Sequence, residues 1–298
     1  MKYNKQNPLR VVTLCSGYDS QCLALERLKR DYPEFDYKLI AWAEFDPEST
    51  APLDKQPAVI AHKALFPDTA DKNLGDMTKI DWQTVPDFDL LFYSTPCQSI
   101  SQAGLQHGFT EGSGTRSSII WNVRDAVVAR RPKFLCLENV KAMVGGKFVG
   151  MFNLWQRELE RLGYMNFAQV LNAKDYGVPQ NRERIFLVSI RADGLDALAG
   201  NVRYYFPKPF PLERRLKDVL EEQVDERYYL SDKMLSMFTR SQEKEEEGIV
   251  EAGYIDYPDH SGRHQQDFVQ HANGISRVVP AGTHASTPHL LKTMVDED

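Results

Sequence analysis

Cys97 stands in the stretch Ser94-Thr95-Pro96-Cys97-Gln98-Ser99, directly after the apolar run Asp89–Tyr93. A cysteine that leaves a buried strand into a Ser-rich loop is placed as a nucleophile would be; a small core residue is the plain alternative. Glu138-Asn139-Val140 follows another apolar run, Phe134–Leu137, where a carboxylate is costly inside a sheet and natural at its rim. Gln180-Asn181-Arg182-Glu183-Arg184 precedes Ile185–Ile190, and strand alternation sends Arg182 and Arg184 to one side. Two such arginines suit an anion or a carbonyl, or else a surface salt-bridge ladder. Three further stretches contain small or acidic residues, the first two after apolar runs and the third after a polar stretch. Cys15-Ser16-Gly17-Tyr18-Asp19 has one glycine for a tight turn before a helix, as a ligand-facing loop or an ordinary βα turn would. Glu44-Phe45-Asp46 offers a carboxylate to ribose hydroxyls and a ring to an adenine face, or is a helix N-terminal charge cluster. Gly75-Asp76-Met77 could give a carboxylate to an adenine amino group, or be a simple turn.

These residues need elements to hold them. Val11–Cys15, Leu39–Ala43, Asp89–Tyr93, Phe134–Leu137, Phe167–Leu171 and Ile185–Ile190 read as strands. Between them, Asp19–Arg30 places Cys22, Leu25 and Leu28 at helical spacing, with Asp19 as N-cap. Pro47–His62 reads as a helix with proline near its start, Ser117–Arg130 as a helix through Ile120, Val123, Val127 and Val128, and Phe152–Leu162 as an amphipathic helix. Strands alternating with helices imply an α/β fold with a doubly wound, mostly parallel sheet. Ligands bind such sheets at the carboxyl ends of the strands, so the loops starting near residues 16, 44, 94 and 138 are the places to search. After Asn201 the pattern changes. Pro207, Pro209 and Pro211 punctuate the chain, Leu216–Leu220 and Met234–Phe238 are short helical segments, and Glu243–Gly274 is polar and weakly patterned. The boundary falls near 200: a first domain over 1–200 and a small, loop-rich region over 201–298.

Composition narrows the class. Of 298 residues, 42% are hydrophobic, enough for a sizeable core. No apolar run approaches the roughly 18 residues a membrane span needs, and the polar start lacks a signal-peptide stretch. Four cysteines without a Cys-x-x-Cys pair support neither a disulfide scaffold nor a zinc site, and a reducing cytoplasm fits best. Residues 1–200 hold 24 basic and 24 acidic side chains, so the whole net charge of −6 lies after residue 200. The run Glu243–Glu247 carries much of it and reads as solvated loop.

Taken in order, Leu14–Gly17, Glu44-Phe45, Gly75-Asp76, Pro96-Cys97-Gln98, Glu138-Asn139-Val140 and Gln180-x-Arg182-x-Arg184 resemble the motifs of the DNA (cytosine-5)-methyltransferases. Asn172–Pro179, ahead of the last motif, is similar to that family as well. The resemblance implies an S-adenosylmethionine-dependent methyltransferase fold and transfer of a methyl group to C5 of cytosine in double-stranded DNA. It implies that Cys97 attacks C6 of a flipped-out base, Glu138 serves cytosine N3, Arg184 bonds the O2 carbonyl and Arg182 holds the loop or a phosphate. An acid at N3 needs a raised pKa, which burial would supply. Ser16 and Gly17 would approach the methionine part of the cofactor, Glu44 its ribose, Phe45 its adenine face and Asp76 the adenine amino group; Pro96 and Ile119 are lesser contacts.

Three departures qualify the resemblance. The first loop, Leu14-Cys15-Ser16-Gly17-Tyr18, is poorer in glycine than the family's, and Ser99-Ile100-Ser101 stands where Phe-Ser often follows the nucleophile. The two C-terminal motifs that usually end the family are not found, and Gly274-Ile275-Ser276-Arg277 resembles the late part of a target-recognition region. The expectations are therefore an enzyme complete in its chemistry, with a second subunit as a candidate source of the last motifs, or a truncated, inactive cofactor- or DNA-binding relic. No metal and no membrane partner are expected.

Overall fold

The computed structural model describes residues 3–96, 110–112, 114, 116–192, 202–225, 229–257, 267–278 and 289–291. The chain divides into two compact units, one of Met1–Val170 with Arg184–Phe206, the other of Leu171–Glu183 with Pro207–Asp298.

The first unit is built on strands β1 (Leu9–Leu14), β2 (Tyr37–Ala43), β3 (Leu90–Tyr93), β4 (Phe134–Val140), β5 (Tyr164–Asn172) and β6 (Glu183–Arg191), in the order β2-β1-β3-β4-β6-β5. β1 pairs in parallel with β2 and with β3, β3 in parallel with β4, and β4 antiparallel with β6. Alternate side chains feed two cores. Val12, Leu14, Leu91, Tyr93, Leu135 and Leu137 belong to one, while Leu9, Val11, Leu90 and the flanking Phe134 and Cys136 belong to the other. Burial on both faces explains why these strands are continuous apolar runs in the sequence. The strand order reverses at β1, and in open α/β sheets such a switch point opens a crevice at the carboxyl ends of the strands.

The helices are α1 (Ser20–Asp31), α2 (Pro57–Leu65), α3 (Val123–Arg130) and α4 (Val149–Arg161). Each of the expected helices is altered in detail. α1 buries Cys22 and Leu25, but Leu28 is exposed. Asp19 occupies its N-cap position in the left-handed region and makes no side-chain cap bond. The helix expected from Pro47 starts at Pro57 instead. Pro57 fits the first turn, whereas inside a longer helix it would break a hydrogen bond and clash with the turn before it. Only Val123–Arg130 of the expected 117–130 helix is α-helical; a 3-10 segment, Arg116–Asn122, precedes it, and Val128 is exposed. α4 buries Phe152, Trp155 and Leu159 at helical spacing and stops at Gly163, whose φ of 90° is a left-handed end.

The second unit holds a four-stranded sheet in the order β10-β9-β8-β7, with β7 (Phe238–Glu246), β8 (Ile249–Ile255), β9 (Phe268–His271) and β10 (His289–Leu291). A short helix, α5 (Asp232–Ser236), precedes it, and Leu216–Asp218 is a 3-10 turn rather than a helix. Most of the glutamate run, expected as loop, lies in β7, and Glu247-Gly248 makes the turn into β8 with φ of 53° and 88°. Positive φ at both central residues is the turn whose twist matches a two-stranded hairpin. Glu245, Glu246 and Glu247 are exposed, while Ile249, Ala252 and Ile255 of β8 are buried.

Candidate active site

Four strand-end segments of the first unit converge by direct bonds. Leu14 ends β1, and residues 15–19 turn sharply into α1, with φ of 51° at Cys15, 58° at Gly17 and 65° at Asp19. The left-handed conformation is free for glycine and costs other residues about 1 kcal/mol or more. The Gly17 amide donates to Glu44 Oε2 at 2.7 Å, joining the ends of β1 and β2. Asn73 Oδ1 accepts from the Glu44 amide (3.1 Å) and the Gly75 amide (2.9 Å), and its Nδ2 donates to the Glu44 carbonyl at 3.2 Å. Cys15 Sγ lies 3.4 Å from Met77 Sδ. The Gly17, Glu44 and Gly75-Asp76 segments therefore form one cluster, with Asn73 as its organiser. The only local signal for Asn73 in the sequence is its place two residues before the turn glycine Gly75.

Asp76 uses its carboxylate locally. It caps the 3-10 turn Met77–Lys79 by accepting from the Thr78 amide (3.0 Å) and hydroxyl (2.7 Å), and it pairs with Lys79 at 3.1 Å. Burial acts to raise its pKa, but the Thr78 bonds and Lys79 prevail and hold it below the usual value. Phe45 leaves its ring exposed, and Ile119 is half-buried against the core.

The second group gathers at the ends of β3 and β4. Glu138 Oε2 accepts from the Ser94 hydroxyl at 2.8 Å, and Oε1 pairs with Arg184 Nε at 3.1 Å. Glu138 faces Phe186 across the β4–β6 ladder, so Arg184, two residues from Phe186, is its diagonal neighbour on the same face. Buried Asn139 donates to the Thr95 carbonyl at 3.0 Å, and its Oδ1 accepts from the Val140 amide at 2.9 Å. Asn139 thus fixes the segment that runs through half-buried Pro96 toward Cys97. In the sequence the acid is the conspicuous member of this motif; the anchoring role of Asn139 emerges only from the fold.

Cys97 itself lies outside the described residues. Two of the other cysteines are poor nucleophiles on physical grounds. Burial drives the Cys22 thiol far up and Cys136 to about 12, so neither supplies thiolate near neutral pH. Arg182 belongs to the second unit. Its amide donates to Asn172 Oδ1 at 3.0 Å and its carbonyl accepts from the Ala173 amide at 3.0 Å, which closes the loop 173–182 upon itself.

Some polar capacity at the first unit's strand ends is unspent. Ser16 Oγ and Thr95 Oγ1 are buried without a hydrogen-bond partner, and the space beside the Gly17 Cα is open. Buried polar atoms are rarely left so. Two orphan hydroxyls, a carboxylate on a glycine amide and an exposed phenyl ring fit a ligand with an amino-acid end, a ribose and a flat base. Among the described residues no cluster of acidic, His and Cys side chains is set to hold a metal, and no helix is long and apolar enough to cross a membrane.

Comparisons with known proteins point the same way. The family described as C-5 cytosine-specific DNA methylase matches residues 9–294. Over 165 residues, 55% of this chain and 44% of the relative, the sequence is 44% identical to the type II methyltransferase M2.ScrFI of Lactococcus lactis subsp. cremoris. It is 30% identical over 271 residues, 83% of this chain, to the orphan methyltransferase M.Rho11sI of Bacillus phage rho11s, of which 50% is covered. The chain thus spans about half the length of these curated relatives. In fold it is similar to a mutant DNMT2 of Spodoptera frugiperda, with a TM-score of 0.58 at 20% identity over 78% of this chain and 66% of that one. With its motifs held at the ends of the strands and almost its whole length matched, the chain belongs to the C-5 cytosine-specific DNA methylase family.

Proposed function

We propose that the chain transfers a methyl group from S-adenosylmethionine to C5 of cytosine in double-stranded DNA through a covalent adduct with Cys97. The observation that supports this best is the Ser94–Glu138–Arg184 cluster at the end of β4, on the strand beside the one whose loop leads to Cys97. Cytosine C5 is a poor nucleophile in an aromatic ring. Addition of the Cys97 thiolate to C6 breaks the aromaticity, and the electron pair gained by the ring makes C5 enamine-like. Glu138 supports the addition at N3, and Arg184 bonds the O2 carbonyl, two neighbouring atoms on one edge of the base. S-adenosylmethionine, when bound, supplies the electrophilic methyl group. Loss of the C5 proton and expulsion of the thiolate then restore the ring. C6 is covered within a duplex, so the base is flipped out first.

In this reading the Ser16 and Gly17 backbone meets the methionine part of the cofactor, Glu44 the ribose, Phe45 one adenine face and Asp76 the adenine amino group. Pro96 and Ile119 line the same side. Arg182 steadies its own loop or a phosphate. The first unit performs the chemistry and the second contributes to recognition of the DNA. The test is trapping with DNA that carries 5-fluorocytosine, which cannot release its C5 substituent. A stable adduct is expected with the native chain and none with Cys97→Ser, whose hydroxyl is a far weaker nucleophile. An adduct through any other cysteine refutes the assignment.

A further inference from the structure

The turn 15–19 has a buried underside that the chemistry leaves unused. Asp19 and His62 are both fully buried. Asp19 Oδ2 accepts from the Thr13 hydroxyl of β1 at 2.7 Å and lies 3.5 Å from His62 Nδ1 of α2. The Asp19 amide closes the turn onto the Ser16 carbonyl at 2.8 Å, and its carbonyl accepts from the Cys22 and Leu23 amides of α1 at 3.0 and 3.2 Å. The far nitrogen of His62 lies 3.3 Å from Thr69 Oγ1, and its ring stacks on Trp42 of β2 at 3.6 Å. One aspartate in a strained backbone conformation therefore touches β1, α1 and α2 at once.

α2 is fastened at its other end to the loop after β2. Gln56, its N-cap residue, accepts from the Asp46 amide at 2.8 Å and donates to the Asp46 carbonyl at 3.2 Å. The 15–19 and 44–46 loops are thus tied twice. The upper tie is Gly17 to Glu44, both groups that bound S-adenosylmethionine would engage. The lower tie runs from Asp19 through His62 and Gln56 to Asp46, away from any ligand.

We propose that Asp19 is a positioning residue: with Thr13 and His62 it forms a buried brace that holds the two cofactor loops in register when Glu44 turns to the ligand. The inference rests on the S-adenosylmethionine reading above. It also explains how the first loop works with so little glycine. The left-handed residues that lack glycine's freedom are overdetermined by the bonds beneath them, as strained backbone must be.

The brace is sensitive to a proton. The Thr69 hydroxyl donates to the Phe66 carbonyl at 3.1 Å, so it accepts from His62 Nε2, which leaves Nδ1 a bare acceptor facing a carboxylate. Asp19 Oδ1 and His62 Nδ1 have no hydrogen-bond partner. One proton shared by the two converts a repulsive contact into a bond. Burial pushes Asp19 up to about 6, against the Thr13 bond, and His62 down to about 4. Cys22 on α1 and Tyr37 on β2, the other titratable groups facing the pair, are both driven up by burial and stay neutral.

The test uses the full chain, with S-adenosylmethionine as probe by titration calorimetry and amide exchange at Gly17 without ligand. Asp19→Asn supplies a permanent donor to His62 and an acceptor to Thr13, so it should bind the probe as the native chain does at low pH. Native affinity should weaken about threefold to tenfold from pH 5.5 to 8, one hydrogen bond's worth, and the Asn variant should lose that profile. Asp19→Ala should weaken binding about tenfold or more, speed Gly17 exchange and leave DNA affinity unchanged. If Asp19→Ala fails to fold, Thr13→Val, which removes one donor, should show the same selective loss in milder form. Native affinity and Gly17 exchange in Asp19→Ala or Thr13→Val overturn the brace. A native chain that ignores the probe overturns the cofactor reading instead, while Gly17 exchange still decides the brace.

Discussion

Asp89 offers a perturbation whose sign and size follow directly from its surroundings. Its side chain is 5% exposed and sits just before β3. Oδ2 accepts from the Arg10 amide at 3.1 Å and from Arg10 Nε at 2.9 Å; Oδ1 accepts from Arg10 Nη2 at 3.2 Å and pairs with Lys133 at 3.1 Å. Burial alone would raise its pKa, but Arg10 and Lys133 overcome it and bring it to about 2 from 3.8. A fall from 3.8 to about 2 corresponds to about 2 kcal/mol, an upper figure because Arg10 is partly open to solvent. The folded pKa is lowered, so the unfolded chain binds the extra proton between the two values. The stabilisation is therefore complete above pH 4–5 and is lost as pH falls through about 2. Asp89→Asn should cost about 2 kcal/mol at pH 7, and the gap should close toward pH 2. All four tryptophans, at 42, 82, 121 and 155, lie in the first unit, so their fluorescence in urea reports that unit alone. Methyl transfer at pH 7 in the folded variant should be near native, because Asp89 sits at the opposite end of β3 from Ser94. A variant as stable as the native chain at pH 7, or a gap that stays constant down to pH 3, would refute the reasoning.

Glu138→Gln removes the charge that Arg184 pairs with; transfer should fall by roughly 10²-fold or more while cofactor affinity changes little, measured by single-turnover methylation and calorimetry. Asn139→Ala strands the buried Thr95 carbonyl and the Val140 amide, so it should cost about 2 kcal/mol in thermal unfolding and slow adduct formation with 5-fluorocytosine DNA beyond what that loss explains. In the second unit a Cβ at Gly253 would collide with the Thr239 carbonyl oxygen and stand 2.6 Å from the Phe238 ring. Gly253→Ala should separate β7 from β8 at a cost of about 1–3 kcal/mol and weaken DNA binding, with S-adenosylmethionine binding retained.

The strands of the first unit were legible because burial on both faces writes them as apolar runs, as in Leu90–Tyr93. Helix starts were not: Pro47 and Pro57 both suit a first turn, and only packing of Val59 and His62 selects the second. The second sheet was hidden for a different reason. The β7–β8 register is irregular between Arg240 and Lys244, and the β8–β9 register between Glu251 and Gly253, so no period of two survives over the length of a strand. In the site, residue types at strand ends were readable, but pairings were not. Nothing local in the sequence connects Asn73 with Glu44, Asn139 with Thr95, or His62 with Asp19, which lies 43 residues before it. Such contacts are set by strand order and helix placement, and a single sequence encodes those only through the whole packed core.

The same limit explains how an arginine at the start of its strand comes to lie beside residues near the far ends of theirs. Ser16, Glu44 and Ser94 lie just beyond the carboxyl ends of β1, β2 and β3, and Glu138 lies near that of β4, where parallel topology collects them. Arg184 stands at the start of β6. In a parallel sixth strand that start would lie at the opposite rim, beside Asp89 and Arg10, and the motif before it would face the wrong edge. β5 and β6 are joined by residues 173–182 only, short of the dozen or more that a parallel crossover needs. β6 runs antiparallel to β4, and the ladder sets Val140 opposite Arg184. Reversal of one strand thus turns an N-terminal arginine into a neighbour of a C-terminal glutamate. The short 173–182 connection is what makes that reversal obligatory, and with it the meeting of Glu138 and Arg184 at 3.1 Å.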